Sequence, residues 1–456
     1  MRTDLRLAWL LVRGSDRQEW WRIALTAAGA AGAAALGLAA AVLASVRGHY
    51  SFSFGSGLFD NPGERSGAIL TLLLLLVPVL GFLGQCTRIG AVHRDRRAAA
   101  LRLAGAEPAR VRRITALETG LACLLGSLLA TAVSVPLLLT LWSAPTALTW
   151  AGLALVAVGV PVLGTAAAVL ALRRVVASPL GRLRRGVPRS GRGPGLLFLA
   201  GLLLVVVAGP LAVASTFSGT PGPHDVSPAL TVFGAVSAVG AGAVWLTGAL
   251  AGLTGRLLAA RTDSPAVLIA AERLRDDPWA AARTHAAVLL VTVVGTGFVG
   301  VRQVLLADLA ESRRTGGLAA DLSFYTTGLD LTAAAIGLGL VIVLVALGVG
   351  AAESLATRRR ALVAQTAAGV PRRVLGRALL LETALPLAPA VLVAGLGGMA
   401  IGVGYASIAA GGSVVRAASY AALLVPAGVY AACLLAAAAG LPLLRRSVRP
   451  GELRYA

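Results

Sequence analysis

Long apolar runs alternate along this chain with short polar stretches rich in arginine. The runs fall at 23–43, 66–86, 114–141, 148–172, 195–215, 229–253, 284–306, 331–351, 378–408 and 417–443. Each reaches or exceeds the roughly 18–20 residues that a helix needs to cross a bilayer core. In lipid, every backbone N–H and C=O must be bonded within its own segment or a closed barrel. Runs this long and continuous predict helices, because barrel strands are short and alternate in polarity. The expected fold class is therefore all-α: a polytopic membrane protein with about ten transmembrane helices.

The polar stretches divide the runs into four, two and four. Residues 1–22 predict an amphipathic helix, with Leu5, Ala8, Trp9 and Val12 on one side and Arg2, Arg6, Arg13 and Arg17 on the other. Trp20 and Trp21 sit where interfacial anchors are expected. Asn61-Pro62-Gly63 reads as a turn. Residues 173–194 hold seven Arg and no acid among Gly, Pro and Ser, the composition of a linker. Residues 262–284 repeat the character of the N-terminus, charged and amphipathic with Trp279. The expected organisation is a first four-helix unit at 1–175, a basic linker plus two connecting spans at 176–261, and a second four-helix unit at 262–456. The connecting pair is expected to pack peripherally and to join the two units.

The stretch between the second and third spans of each unit is a repeat. RRAAALRLAGAEPARVRRITALET at 96–119 returns 264 residues later as RALVAQTAAGVPRRVLGRALLLET at 360–383. Eight positions are identical, among them Gly105 and Gly369, Arg113 and Arg377, and Glu118 and Glu382. A spacing this long excludes a solenoid. Each copy runs from a basic cluster through Ala and Leu at helical spacing to Ala-Gly, then to a Pro within three residues and a second basic helical start. Gly followed by Pro is helix-stop then helix-start chemistry. The pattern predicts a short helix, a turn and a long helix re-entering the membrane. Glu118 and Glu382 are placed about one turn inside that helix. There they form a charge clamp with Arg113 and Arg377, or with Arg88 or Arg94 from the neighbouring helix end.

Composition sharpens the class. The chain is 57% hydrophobic and only 13% charged, against about 25% charged in soluble domains. The net charge of +21 raises the possibility of nucleic-acid binding, but its distribution argues for topology. With both termini inside, cytoplasmic segments hold 35 Arg and 13 acids, and outer segments 6 Arg and 7 acids. That is the positive-inside rule, and it leaves no nucleic-acid partner to be expected. The lipid bilayer is the partner the charges address. The first run, preceded by 22 residues, reads as a signal anchor. The usage of Ala, Gly and Arg points to a bacterium, and so to its plasma membrane.

Every basic residue is Arg. Without Lys, a Walker A motif and Schiff-base chemistry are excluded. Cys86, Cys123 and Cys433 lie in apolar runs, as small buried hydrophobes do. No catalytic, cofactor-binding or metal-ligand spacing is present, so the chain is not expected to be an enzyme or to hold a cofactor. Arg302, late in its span, is placed near the outer surface with Asp308 or Glu311 as partner.

The connector pattern, from paired Arg through Ala-Gly to Leu-Glu-Thr entering a Gly-rich span, resembles the FtsX-like permease family of MacB-type and bacitracin-type ABC transporters. The ten-span layout is similar to the bacitracin-type branch and its actinobacterial relatives. The resemblance implies a permease subunit whose connectors rest on a separate ATP-binding subunit, a dimer of ATPase chains, and pass hydrolysis-driven movement to the spans. The coupling residues it implies are Arg102, Gly105, Ala106, Glu107 and Arg110 in the first copy, and Gln365, Gly369, Val370, Arg372 and Arg373 in the second. The substrate is not named, and transport, with export as the expected direction, stands beside mechanotransmission. The outer loops at 44–65 and 307–330 are short, where MacB-type exporters carry a large outer domain. A secondary transporter with internal repeats and an ATP-driven regulatory membrane protein are the alternatives. Scarce midplane charge argues against the first of these.

One expectation can be tested without a transport assay. Single cysteines introduced within 102–110 and 365–373 are expected to resist a membrane-impermeant thiol reagent in intact cells and to react after lysis. Labelling from outside would reverse the topology.

Overall fold

The computed structural model describes residues 17–51, 57, 59–86, 100, 103–142, 145–176, 203, 206–207, 211, 223–315, 322–409 and 420–442. The described residues form helices and no strand. They are α1 (Arg17–Ser45), α2 (Pro62–Cys86), α3 (Pro108–Leu141), α4 (Ala147–Val176), α5 (Pro223–Arg261), α6 (Pro265–Asp276), α7 (Pro278–Thr315), α8 (Leu322–Thr357), α9 (Arg359–Ala367), α10 (Arg372–Ala409) and α11 (Leu424–Ala438), the last preceded by a 3₁₀ turn at Tyr420–Leu423. Nine of the described helices are long and apolar enough to cross a membrane. The chain is thus an all-α polytopic membrane protein. The span expected at 195–215 lies largely outside the described residues, although Leu203, Val206, Val207 and Leu211 are helical. The amphipathic stretch before Arg17 lies outside them too.

One boundary differs from the sequence expectation. The turn expected at Asn61-Pro62-Gly63 is a helix start, with the Arg65 N–H donating to the Asn61 carbonyl at 3.1 Å. Pro fits there because its missing N–H lies among the unpaired donors of a helix N-terminus. The re-entering helices begin at the basic stretch after each turn, as the sequence pattern predicts. At 34 and 38 residues, α3 and α10 reach about 51 and 57 Å at ~1.5 Å per residue. The hydrocarbon core is only about 30 Å thick, so both helices extend well beyond it.

By contact the chain divides into two compact units, residues 1–46 with 79–189, and residues 47–78 with 190–456. The division falls within α2, beside its internal Pro78.

In the first unit α1, α3 and α4 pack on one another. Lipid supplies no hydrophobic drive between helices, so close approach at small residues matters. At Gly126 the backbones of α1 and α3 meet: a Cβ there would lie 2.1 Å from the Ala27 carbonyl oxygen and 2.8 Å from the Ala31 nitrogen. Ser127 Oγ donates to the Ala157 carbonyl of α4 at 2.8 Å, and the Ser45 and Thr149 hydroxyls bond at 2.7 Å. Outward-facing leucines of α3 (Leu124, Leu125, Leu128, Leu129) are exposed, as suits a lipid-facing surface.

In the second unit α7 and α10 form the most extensively packed pair, and α5 lies against both. A Cβ on Gly398 would sit 2.3 Å from the Val293 carbonyl oxygen, and one on Gly402 2.7 Å from that of Gly297. The connecting span α5 packs equally tightly, with Val239 against Gly397 and Gly248 against Trp279. The α6 helix packs on α5 and α10, and α8 on α7 and α11. At the start of α2, Arg65 donates to the carbonyls of Phe59 at 3.1 Å, Asp60 at 3.2 Å and Gly48, pinning the loop between α1 and α2. The 264-residue offset carries over to the helices: Pro108 opening α3 corresponds to Arg372 opening α10, and the α1–α3 pair corresponds to α7–α10.

Gly126→Ala gives the sharper test of this packing. In an open helical position Gly→Ala gains about 0.5–1 kcal/mol, and Gly159 has nothing within 4 Å of a built Cβ. Thermal unfolding in detergent is expected to show Gly159→Ala neutral or stabilised. Gly126→Ala is expected to lose about 1–3 kcal/mol through overpacking.

Candidate functional site

The two connectors use the same backbone bonds. In the first, the Ala104 N–H donates to the Ala100 carbonyl at 2.9 Å; in the second, Ala368 donates to Ala364 at 2.9 Å. Gly105 and Gly369 then adopt φ of 89° and 91°. A side chain is strained in that left-handed region, which explains the matched glycines. At the second copy the Gly369 N–H donates to Thr366 and the Val370 N–H to Gln365, both at 3.0 Å. These are the paired bonds of a Schellman stop. The next helix starts from Glu107 or from Pro371, which stand at the same repeat position. The Glu107 carbonyl accepts from Arg110 and Val111 at 3.1 Å, and that of Pro371 from Val374 and Leu375 at 2.9 and 3.3 Å. The helix–turn–helix expected from sequence is present at the second connector, and at the first the turn and the following helix are present, the preceding stretch lying mostly outside the described residues.

The turns are open on one side and anchored on the other. Gly105, Glu107 and Arg110 are exposed and Ala106 is half-buried; Gly369, Arg372 and Arg373 are exposed, with Gln365 and Val370 half-buried. Arg102 lies outside the described residues. On the anchored side Val111 and its counterpart Leu375 are buried. Leu375 joins Leu355 and Leu362 in a cluster covered by Ile269, Val370 and Leu379.

Glu118 and Glu382 each occupy the eleventh residue of their helix, not the first turn. The helix dipole fades within the first turn, so an ion pair holds each carboxylate instead. Glu118 pairs with Arg22 of α1, both side chains nearly dry at 5% and 3% exposure. Glu382 pairs with two guanidiniums. Arg358 donates to its two oxygens at 2.7 and 2.8 Å, and Arg273 of α6 donates to Oε2 at 3.1 Å. This triad is wetter, with side chains 17–36% exposed. Arg113 and Arg377 stand exposed on α3 and α10.

Sequence reasoning missed Arg22 and Arg273. Arg358 was within its reach, because it is the 264-residue counterpart of Arg94, a candidate partner named for the first copy. Arg22, taken for the end of an interfacial helix, is in fact buried inside the continuous α1. Arg302 bonds Asp330 at 3.5 Å, with both side chains exposed, and not the acids nearer in sequence.

These features define a polytopic membrane protein in which an exposed turn precedes each of two long helices, and each of those helices carries a carboxylate held by arginine. Residues 68–180 match the family model described as FtsX-like permease C-terminal. The matched stretch runs from α2 through the first connector and α3 into α4, and it marks that part of the chain as an FtsX-like permease domain. No curated protein and no solved structure matches the chain. Shifted by 264 residues, the matched stretch covers α8 to α11.

The Arg22–Glu118 pair sets a stability expectation. Removing one partner of a buried pair leaves an uncompensated charge and costs about 3–5 kcal/mol, whereas replacing both by apolar residues of similar volume is often neutral. Arg22→Met and Glu118→Leu are each expected to lower the unfolding temperature sharply. The double variant is expected to recover most of the loss.

Proposed function

We propose that this chain is the membrane subunit of an ABC transporter, multi-pass in a bacterial plasma membrane with both termini cytoplasmic. Its two connectors dock on a separate ATP-binding subunit, as a dimer of ATPase chains, and turn hydrolysis into movement of α3 and α10. The observation that carries this reading is the matched connector. A loop that only anchored topology would need charge, but not the same left-handed glycine, the same backbone bonds and the same carboxylate eleven residues into the next helix. Coupling needs a rigid elbow, and a Gly-stopped helix followed at once by a new helix start provides one. Gly105, Ala106, Glu107 and Arg110, with Gly369, Val370, Arg372 and Arg373, would meet the ATPase. Arg102 and Gln365 complete that set.

The ion pairs then act as joints. A push on the first connector reaches α3 and, through Glu118 and Arg22, α1. A push on the second reaches α10 and, through Glu382, Arg358 and Arg273, the helices around it. The cargo crosses, by export, or its place is taken by a mechanical signal to an outer partner.

Doubled substitutions test the reading, since one exposed charge is worth only about 0–1 kcal/mol. Gly105→Val with Gly369→Val, or Arg110→Ala with Arg373→Ala, is expected to leave membrane insertion intact. Co-purification of the ATP-binding subunit, or ATP hydrolysis by the reconstituted complex, is expected to fall. Normal association and normal hydrolysis in a well-expressed double variant would overturn the proposal.

A further inference from the structure

We infer that α6 is a transmission helix, taking up the movement of the second connector and handing it to α5, the connecting span that has no counterpart in the sequence repeat. The inference rests on the coupling role proposed above and adds a route to it. Three contacts define the route. Ile269 of α6 packs onto the Leu355, Leu362 and Leu375 cluster, beside Val370 of the connector. Arg273, one turn further along α6, shares the Glu382 carboxylate with Arg358, the residue that opens α9. On its other side α6 meets α5 backbone to backbone. A Cβ on Gly255 would lie 2.9 Å from both the Ala271 carbonyl oxygen and the Arg275 nitrogen, so the contact has no side-chain slack.

The chemistry of Glu382 suits a moving joint. One carboxylate faces two guanidiniums carried by different elements, and Arg358 takes both oxygens while Arg273 takes one. If the connector draws Arg358 away, Arg273 still holds the carboxylate, and α6 stays tied to α10 while the connector shifts. Partial exposure keeps such an exchange cheap, because water solvates whichever guanidinium is released. The Arg22–Glu118 pair is nearly dry, and separating its partners would strand a charge in an apolar surrounding. The Arg22–Glu118 contact joins α1 directly to α3. The joint at Glu382 is exchangeable, and it leads outward through α6 to α5.

The buried native cysteines leave introduced surface thiols open to selective labelling. Environment-sensitive fluorophores are placed at Glu272→Cys on α6 and Ala361→Cys on α9, both exposed positions. The complex with its ATP-binding subunit is reconstituted in phosphatidylethanolamine–phosphatidylglycerol vesicles, and the signals are read with and without ATP plus vanadate. Both reporters are expected to respond to the trapped nucleotide. Glu382→Gln is expected to abolish the response at 272 and keep the one at 361. Arg273→Gln is expected to do the same from the α6 side, which serves if Glu382→Gln fails to insert, and Arg273→Lys is expected to restore it. A response at 361 with silence at 272, or a response at 272 that survives both charge removals, overturns the role of α6. Silence at both positions overturns the coupling reading itself.

Discussion

A carboxylate placed eleven residues into a membrane-entering helix cannot be left unpaired. Glu118 is nearly dry and Glu382 half-buried, and the helix dipole has faded before it reaches either of them. Each must be met by a guanidinium, and the element that supplies it is thereby tied to the helix. For Glu118 that element is α1. For Glu382 it is the start of α9 together with α6. The position of the acid is repeated, and among the described residues α1 meets the first acid while α6 and the start of α9 meet the second. This one constraint ties α1 to α3 in the first unit, and α6 and the start of α9 to α10 in the second.

Close backbone contact complements the ion pairs. Helices in lipid gain little from burying apolar surface against one another, so their specificity comes from small residues and from polar contacts. Gly126 against Ala27 and Ala31, and Gly398 and Gly402 against Val293 and Gly297, bring backbones together where no side chain would fit. The contacts lie at different depths in the two units, eight residues beyond Glu118 in α3 and sixteen beyond Glu382 in α10. At ~1.5 Å per residue these are about 12 and 24 Å. The two re-entering helices thus cross their partners at different distances from their charged joints.

Much of this was legible in the residues. Apolar run length established the class and placed nearly every span, because the bilayer enforces that pattern on any chain crossing it as helices. The connector turns were equally readable. A glycine at a left-handed position and a proline near a helix start are local requirements, and Gly105, Gly369 and Pro108 meet them whatever surrounds them. The repeat showed that the same device was used twice.

The partners of the two acids were decided only by tertiary structure. Arg113 and Arg377 looked suitable because they are near in sequence, yet among the described residues Glu118 bonds an arginine 96 positions away, and Glu382 bonds arginines 109 and 24 positions away. A guanidinium is chosen by which helix face packs against the acid, and packing depends on both sequences at once. The same limit applied to α5. Hydropathy placed its apolar run, but not that Val239 and Gly248 would seat it tightly on α10 and α7. The sequence by itself determined the number and kind of local devices, since each is specified within a few residues. Their mechanical linkage was left to the fold, because long-range pairing of charges and close backbone contact exist only once the helices have been brought together.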